Sequence, residues 1–128
     1  MDVRITYAEQ AEVIDRKVRE ICASSDVAGT TIKLEGGINR PPMVKNEQTI
    51  QFLEIIKETG EELGIKITDV ATGGGSDASF TSAMGVSTID GLGPVGGNAH
   101  SVDEYLEVPT LVERTSLLAE VIRKLANK

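Results

Sequence analysis

The spacing of apolar residues switches repeatedly along the chain between every second position and every third or fourth, and this alternation limits the fold most narrowly. Residues 2–7 alternate apolar and polar side chains, which is the period of a half-buried strand. Thr6 and Glu9 have the spacing of a helix capping box. The apolar residues that follow at intervals of three and four are Ala11, Ile14, Val18 and Ile21. Together they predict a strand that runs directly into an amphipathic helix.

The same alternation continues to the end of the chain. Further strands are predicted at residues 30–35, 65–67 and 86–92. The remaining predicted helices are one between the N-cap Asn46 and Gly64, a short one through Phe80 and Met84, and a last one that begins at a capping box of Thr110 and Glu113. The side chains expected to point into the core from the two longer helices are Leu53, Ile56, Leu63, Leu111, Leu118, Val121 and Leu125. This order predicts an α/β protein with parallel strand connections.

Length, charge and cysteine content exclude several classes of protein. The 128 residues fit one ordinary domain, and 20 acidic against 13 basic residues make a nonspecific grip on nucleic acid or an anionic membrane surface unfavourable. A single cysteine, Cys22, excludes an internal disulfide framework and suits a reducing compartment. No apolar run approaches the roughly 20 residues of a membrane span. We therefore expect a cytoplasmic protein without nucleic acid or membrane as a partner.

The segment NRPPMVKN, around Arg40 to Lys45, has the composition of a linker. Two adjacent prolines are stiff and extended, and they push the preceding residue out of the helical region. A boundary between two pieces of the chain is predicted here.

A loop of three glycines, Gly73 to Gly75, followed by Ser76 and Asp77, lies between a predicted strand and a predicted helix. Glycines let a backbone approach a ligand closely, and free amides at a helix start favour a carboxylate or phosphate. The loop matches neither nucleotide-binding glycine pattern, so nucleotide binding gains little from it. The competing interpretation is a tight turn in which Ser76 or Asp77 only caps the helix.

His100, the single histidine, lies in the glycine-rich segment Gly91 to Val108. Imidazole is the commonest metal ligand, yet a catalytic zinc needs three protein ligands, so by itself His100 is interpreted as a surface or hydrogen-bonded loop residue rather than as a metal ligand. Arg40 could bind a carboxylate through its planar fork or simply lie at the surface. Cys22 fits a small buried hydrophobe, and the acids at residues 102–105 fit a solvated loop.

The segment TGGGSDASFTSAMGVSTIDGLGPVGGNAHSVDEYLEV and the final helix resemble the C-terminal end of a known family. This is the family of zinc-dependent metallopeptidases that includes glutamate carboxypeptidase, acetylornithine deacetylase and succinyl-diaminopimelate desuccinylase. The marks are G-G-[ST]-D-A after a strand, a G-x-G-P loop, a histidine some two dozen residues after the aspartate, and then [DE]-E-Y. Among the branches, the glutamate carboxypeptidase group is most similar. DVRITYAEQAEVIDRKVREI and GGINRPPM resemble parts of that family's lid, or dimerisation, domain, and the first begins with its D-x-R signature.

The resemblance implies a fold and a set of site residues. Residues 1–43 would be the second half of the lid, with a β-α-β order, and residues 44–128 the C-terminal α/β part of the catalytic domain. His100 would be the last zinc ligand. Arg40, with Gly74, Gly75 and Ser76, would bind the substrate's terminal carboxylate. The family's general-base glutamate, bridging aspartate and lid histidine have no counterpart in this sequence, so no residue is assigned as catalytic.

The resemblance also implies a function. In the intact family two zinc ions activate a water molecule that hydrolyses the amide bond of N-acyl amino acids or small peptides. This chain would supply one ligand of an incomplete zinc site and the carboxylate clamp, as an inactive C-terminal fragment that forms a homo-oligomer through its lid-derived strand and helix. The alternative is a non-catalytic α/β module that binds a small anion at residues 73–77 or self-associates.

Overall fold

The structure, a computed structural model, describes residues 1–127. Its elements in chain order are α1 (Glu9–Cys22), α2 (Glu47–Glu62), α3 (Ala78–Ala83), β1 (Gly96–Gly97), β2 (Tyr105–Leu106) and α4 (Val108–Ala126). The chain divides into two compact units. The first unit contains Met1–Val44 and Gly73–Val86, and the second contains Lys45–Thr72 and the chain from Ser87 onward. The predicted division into a lid part (residues 1–43) and a catalytic part (residues 44–128) is a different grouping of the chain, and it stays a prediction.

The architecture is helix-rich with one small sheet, a mixed composition compatible with an α/β peptidase fragment. The four strands predicted at residues 2–7, 30–35, 65–67 and 86–92 are not formed. Within residues 1–127 the sheet consists of β1 and β2, which pair antiparallel. The prediction of parallel strand connections is therefore wrong for this structure. An alternating segment becomes a strand only when a neighbour completes its backbone hydrogen bonds, and alternation alone does not supply that neighbour.

Helix α1 lies in the first unit and begins differently from its prediction. Ala8 at the N-cap has helical dihedral angles and no side-chain cap, so the Thr6 and Glu9 capping box is wrong. Instead, the Gln10 side-chain oxygen accepts hydrogen bonds from the backbone N–H groups of Thr6 (2.9 Å) and Tyr7 (3.0 Å). The second residue of the helix, Gln10, thus accepts from the Thr6 N–H, which the Glu9 side chain would serve in a capping box, and from the next amide as well.

The apolar side of α1 carries little buried surface. None of its residues is buried, and Ile21 is 73% exposed. Asp15 and Arg19 form a two-point ion pair one turn apart, which supports the helix locally. The amphipathic pattern predicted the helix correctly, and the other three apolar residues of the pattern are half-buried.

Helix α2 begins and ends as predicted. The Asn46 side chain accepts a hydrogen bond from the backbone N–H of Thr49 at 2.8 Å, which confirms the N-cap. Gly64 follows the C-cap Leu63 and has φ +71°, the left-handed conformation that glycine adopts most readily after a helix. The chain then turns back, and the Ile65 N–H donates to the Gly60 carbonyl at 2.7 Å.

The core of the second unit lies between α2 and α4. Its buried side chains are Ile56, Ile65, Leu117 and Val121, with Phe52, Ile67, Ile89 and Leu92 packed around them. The inward positions of Leu53, Ile56 and Val121 are confirmed. Those predicted for Leu63, Leu111, Leu118 and Leu125 are wrong, because each is at least 38% exposed. The position that the prediction missed is Leu117, which is completely buried.

Helix α4 starts at Val108, two residues before the predicted capping box, with Glu107 at the N-cap. Thr110 is inside the first turn. Its hydroxyl donates to the Glu107 carbonyl (2.6 Å) and accepts from the Val95 N–H (2.9 Å), so it ties the preceding loop to the helix. Pro109, which needs no amide partner, fits the first turn. In the described part of the chain no helix combines the length and apolar composition needed to cross a bilayer.

Candidate functional site

The glycine loop and α3 belong to the first unit, and Ser76 organises the turn between them. The Ser76 hydroxyl accepts a hydrogen bond from the Ala78 N–H at 3.2 Å. The Ser79 hydroxyl, on a buried residue, donates to the Ser76 carbonyl at 2.5 Å. Asp77 occupies the N-cap position of α3 without a side-chain cap hydrogen bond. Of the two predicted capping side chains, Ser76 therefore serves the turn while the Asp77 carboxylate points elsewhere.

Arg40 lies against this loop. Its Nη1 is 3.0 Å from Oδ1 of Asp77, and its guanidinium carbon is 4.9 Å from the centre of the Phe80 ring. A β-carbon added at Gly75 would be 3.3 Å from Cδ of Arg40 and 3.5 Å from its Nε. The structure thus brings together Arg40 and Gly75, two of the predicted substrate-binding residues, and places the Arg40 guanidinium carbon over the Phe80 ring. Such cation–π stacking holds a guanidinium in a fixed plane.

A second arginine reaches the same loop. Arg4 donates a hydrogen bond from Nη1 to the Gly73 carbonyl at 2.5 Å, and its Nε is 3.2 Å from Oδ2 of Asp2. Arg4 was predicted only as part of the D-x-R signature and was given no role. Phe80 was predicted only as a helix residue. The D-x-R pattern was a usable signal for Arg4, whereas nothing in the sequence pattern singled out Phe80 as the stacking partner.

Two positive charges therefore surround a loop that contains no basic residue of its own. Each is paired with an aspartate of the chain, Arg4 with Asp2 and Arg40 with Asp77. The Asp77 side chain is 93% exposed, whereas Arg40 is only 35% exposed. Guanidinium groups around a close-approach glycine backbone form an arrangement suited to a carboxylate or phosphate.

His100 lies in the second unit, in the loop between β1 and β2. Its φ is +67°, and that of Asn98 is +55°, so two non-glycine residues adopt the left-handed conformation close together. Left-handed residues of this kind are uncommon and occur most often for Asn, Asp and His. The loop is held by the hydrogen bond from the Ser101 N–H to the Asn98 carbonyl (3.1 Å) and by that from the Asn98 side-chain amide to the Asp103 carbonyl (3.3 Å). His100 is exposed.

The two-residue strands fix the base of this loop. Gly96 pairs with Leu106, and Gly97 pairs with Tyr105. A β-carbon at Gly97 would be 2.7 Å from Cε1 of the Tyr105 ring, and one at Gly96 would overlap the Tyr105 carbonyl oxygen. Both glycines are therefore needed for β2 to pack this closely. An open pocket of about 480 Å³ lies beside them, lined by Pro94, Gly96, Gly97, Ala99, Glu104, Tyr105 and Leu106.

The residues that could hold a metal do not form a complete site. Across residues 1–127 no three His, Cys, Asp or Glu side chains come together in a way that could bind a metal ion. A catalytic zinc takes three protein ligands, so His100 fits at most as one contributor. Cys22 is half-buried. Asp103 and Glu104, the acids of the predicted solvated loop, are exposed.

In the second unit, two lysines surround the carboxylate of Asp69. Lys45 Nζ is 2.6 Å from Oδ2 of Asp69, and Lys57 Nζ is 3.1 Å from Oδ1. Hydrogen bonds from the two lysines lower the pKa of Asp69 from 3.8 to about 2, and the one from Lys45 has the larger effect. This cluster ties α2 to the segment after Ile67, and its charges are already paired with one another.

Comparison with protein-family models matches residues 3–124 to the peptidase family M20/M25/M40. The match spans both compact units and includes Arg4, Arg40, the glycine loop and His100. Neither the comparison with curated proteins nor that with solved structures gives a match.

Proposed function

The chain belongs to the M20/M25/M40 family of peptidases, and we propose that it supplies the substrate-carboxylate clamp of a metal-dependent peptidase or amidohydrolase site. The substrates proposed are N-acyl amino acids or small peptides, as in the glutamate carboxypeptidase group that the sequence resembles. The reaction class is hydrolysis of an amide bond. The family match supports the peptidase part of this proposal, and the contacts of Arg40 support the clamp.

The arrangement of Arg40 on the glycine loop is the observation that carries the proposal. The arginine stem crosses Gly75, where a β-carbon would be 3.3 Å from Cδ. The Arg40 guanidinium carbon lies over the Phe80 ring, 4.9 Å from its centre. A guanidinium held in this way keeps its planar fork in one orientation, which suits two parallel hydrogen bonds to a carboxylate. Little side-chain entropy remains to be lost when a ligand binds.

Arg4 extends the clamp to a second positive charge. Its hydrogen bond to the Gly73 carbonyl brings the guanidinium to the opposite end of the three glycines from Gly75. An anion at the loop would then lie near two cations and near the backbone amides of residues 74–76. Such a site stabilises a carboxylate more strongly than one surface arginine does, because charge-assisted hydrogen bonds are the stronger class. In the proposed mechanism these residues bind and orient the substrate's carboxylate end.

The metal part of the site is proposed only as far as the residues allow. His100 is proposed as one ligand of a zinc ion, in a family whose intact members are expected to use two. The described residues do not complete a zinc site around it, and no catalytic step is assigned to them. The division into a lid part (residues 1–43) and a catalytic part (44–128), and self-association through the lid-derived residues, belong to the same proposal.

The clamp is tested by the binding of N-acetyl-L-glutamate, measured calorimetrically in the presence of a chelator so that no metal contributes. The comparison ligand is N-acetyl-L-isoglutamine, in which the α-carboxylate is an amide. Arg40→Gln is expected to weaken binding of the acid by about tenfold or more, which corresponds to a lost charge-assisted hydrogen bond. Binding of the amide should change little. Arg16→Gln, an exposed arginine of α1, is the matched control.

A non-catalytic module that binds a small anion at residues 73–77 is the second candidate, and the two arginines that lie against this loop are the observation that supports it. The same titration separates the two candidates. If an anion binds equally well to the wild type and to Arg40→Gln, its site lies elsewhere and the module gains support. If binding depends on Arg40 and on the α-carboxylate, the clamp gains support.

A further inference from the structure

Asp77 supplies the Arg40 site with a carboxylate from the chain itself. Its Oδ1 is 3.0 Å from Nη1 of Arg40. We infer that the Asp77 carboxylate takes the place of the ligand carboxylate on Arg40. A ligand must displace Asp77 to bind, and Asp77 thereby determines which ligands the site accepts. This inference rests on the proposed function of Arg40 and adds a specificity-determining residue to it.

The first support is that Asp77 has no other evident task. It occupies the N-cap position of α3, where aspartate commonly accepts a hydrogen bond from the helix, yet its side chain makes none. Ser76 provides that service through its bond to the Ala78 N–H. The Asp77 side chain is 93% exposed, so burial does not account for its position either.

The second support is that Arg40 does not depend on Asp77 for its position. The guanidinium carbon lies over the Phe80 ring, and the Arg40 stem lies so near Gly75 that a β-carbon there would be 3.3 Å from Cδ. Only about a third of the Arg40 side chain is exposed. Packing against these two residues would hold the guanidinium in place when Asp77 leaves. Asp77 therefore acts as an occupant of the site rather than as a support for it.

The third support is the geometry of the ion pair. Asp77 and Arg40 form an ion pair, with Oδ1 3.0 Å from Nη1, whereas a free carboxylate can meet the guanidinium fork with two parallel hydrogen bonds. An exposed ion pair contributes little, because solvent screens it and the side chain loses entropy. A ligand carboxylate that makes the two-point contact thus displaces Asp77 readily. A neutral ligand gains nothing that would offset the displaced pair.

The displaced Asp77 carboxylate remains tethered beside the site, and this has a consequence for specificity. A ligand that places a second negative charge next to Arg40 meets repulsion from Asp77, since like charges at such distances disfavour each other. A ligand with one carboxylate at the fork and a neutral group beside it does not. Arg4 carries a similar exposed partner in Asp2, so both cations of the loop start from an internally paired state.

Asp77→Asn tests the inference, because it removes the charge and keeps the size. The variant is expected to bind N-acetyl-L-glutamate about two- to fivefold more tightly than the wild type, the range that an exposed ion pair represents. Asp26→Asn, which removes an exposed aspartate elsewhere in the first unit, should leave the affinity unchanged. In an Arg40→Gln background the effect of Asp77→Asn should disappear, because the two residues act on one site.

Chemical labelling of Arg40 by phenylglyoxal gives a readout that requires no ligand. Mass spectrometry of the Arg40 peptide should show about two- to fivefold faster labelling in Asp77→Asn, while labelling of Arg16 stays constant. N-acetyl-L-glutamate should protect Arg40 in both proteins. Circular dichroism confirms that the variants remain folded.

The outcomes separate this inference from the proposed function. Arg40-dependent binding with equal or weaker affinity in Asp77→Asn overturns the inference and leaves the clamp intact. Unchanged Arg40 labelling in Asp77→Asn overturns it as well. Faster labelling without carboxylate binding in any variant shows that the pair exists but that the clamp itself is wrong, and the inference falls with it.

Discussion

The ring of Tyr105 lies against the backbone of Gly97, at a distance that leaves no room for a β-carbon. Such an atom would be 2.7 Å from Cε1 of the ring and 2.8 Å from the hydroxyl oxygen. One residue earlier, a β-carbon at Gly96 would overlap the Tyr105 carbonyl oxygen. The same tyrosine therefore excludes side chains from two adjacent positions, once through its ring and once through its backbone.

This difference predicts different costs for two glycine substitutions. Gly97→Ala should lower the free energy of unfolding by about 1 kcal/mol, because the half-exposed ring can move aside. Gly96→Ala should cost about 2–3 kcal/mol, since a paired backbone carbonyl cannot move without breaking the β1–β2 ladder. Urea denaturation measures both.

Tyr105→Ala supplies the matching control. It should reverse most of the loss in Gly97→Ala and none of the loss in Gly96→Ala. Gly93→Ala should be close to neutral, because no atom lies within 4 Å of its β-carbon position. Equal losses at Gly96 and Gly97, both unaffected by Tyr105→Ala, would contradict the packing described.

Neighbouring leucines of α4 should differ sharply in their contribution to stability. Leu117 is completely buried and Leu118 is 43% exposed. Leu117→Ala is expected to cost about 2–5 kcal/mol through lost burial and an unfilled cavity. Leu118→Ala should cost well under half as much. A larger loss at Leu118, measured by the urea midpoint, would restore the helix face that the periodicity predicted.

Gly60 presents a case in which helix propensity and packing oppose each other. Alanine favours a helix interior by about 1 kcal/mol over glycine. At this position, however, the added atom would lie 2.6 Å from the Ile65 carbonyl oxygen and 2.7 Å from Cγ1 of Ile67. Gly60→Ala should therefore destabilise the protein. Glu58→Ala, at an exposed site of the same helix, should be neutral or slightly stabilising, and a rise in thermal midpoint for Gly60→Ala would refute the steric argument.

Asp69 predicts a pH dependence of stability with a defined sign. Its pKa is lowered from 3.8 to about 2 by Lys45 and Lys57, so the folded state favours the ionised form. The stability that this provides is fully present above about pH 4 and is lost as the pH falls through 2. Asp69→Asn should lower the urea midpoint at pH 6, and its difference from the wild type should shrink between pH 4 and 2. An equal difference between the two proteins at pH 6 and at pH 2 would contradict this role of Asp69.

The local signals in the sequence were accurate where a single residue determines a helix end. Asn46 caps α2 and Gly64 terminates it, as predicted, because a side-chain oxygen beside free amides and a residue free to adopt positive φ act within a few positions. The two threonine capping boxes failed. Gln10 serves the amides before α1, and Thr110 lies two residues inside α4. The T-x-x-E spacing of a capping box is thus compatible with other hydrogen bonds than those of the box itself.

For the candidate site, the sequence indicated individual residues but not the contacts between them. The residue types of the glycine loop indicated an anion, and the resemblance supplied Arg40 and His100. The approach of Arg4 to Gly73, the stacking of Phe80 and the pairing of Asp77 with Arg40 join residues up to 69 positions apart in sequence. No spacing rule reaches that far.

The sequence by itself determined the positions of the helices, the ends of α2 and the peptidase family. Each of these depends on residue type and on neighbours within a few positions. Only the tertiary structure decided that Leu117 rather than Leu118 faces the core, that the alternating segments do not pair as strands, and that Asp77 forms an ion pair with Arg40. These depend on which distant groups meet, because burial and hydrogen bonding are satisfied by the partner and not by the pattern alone.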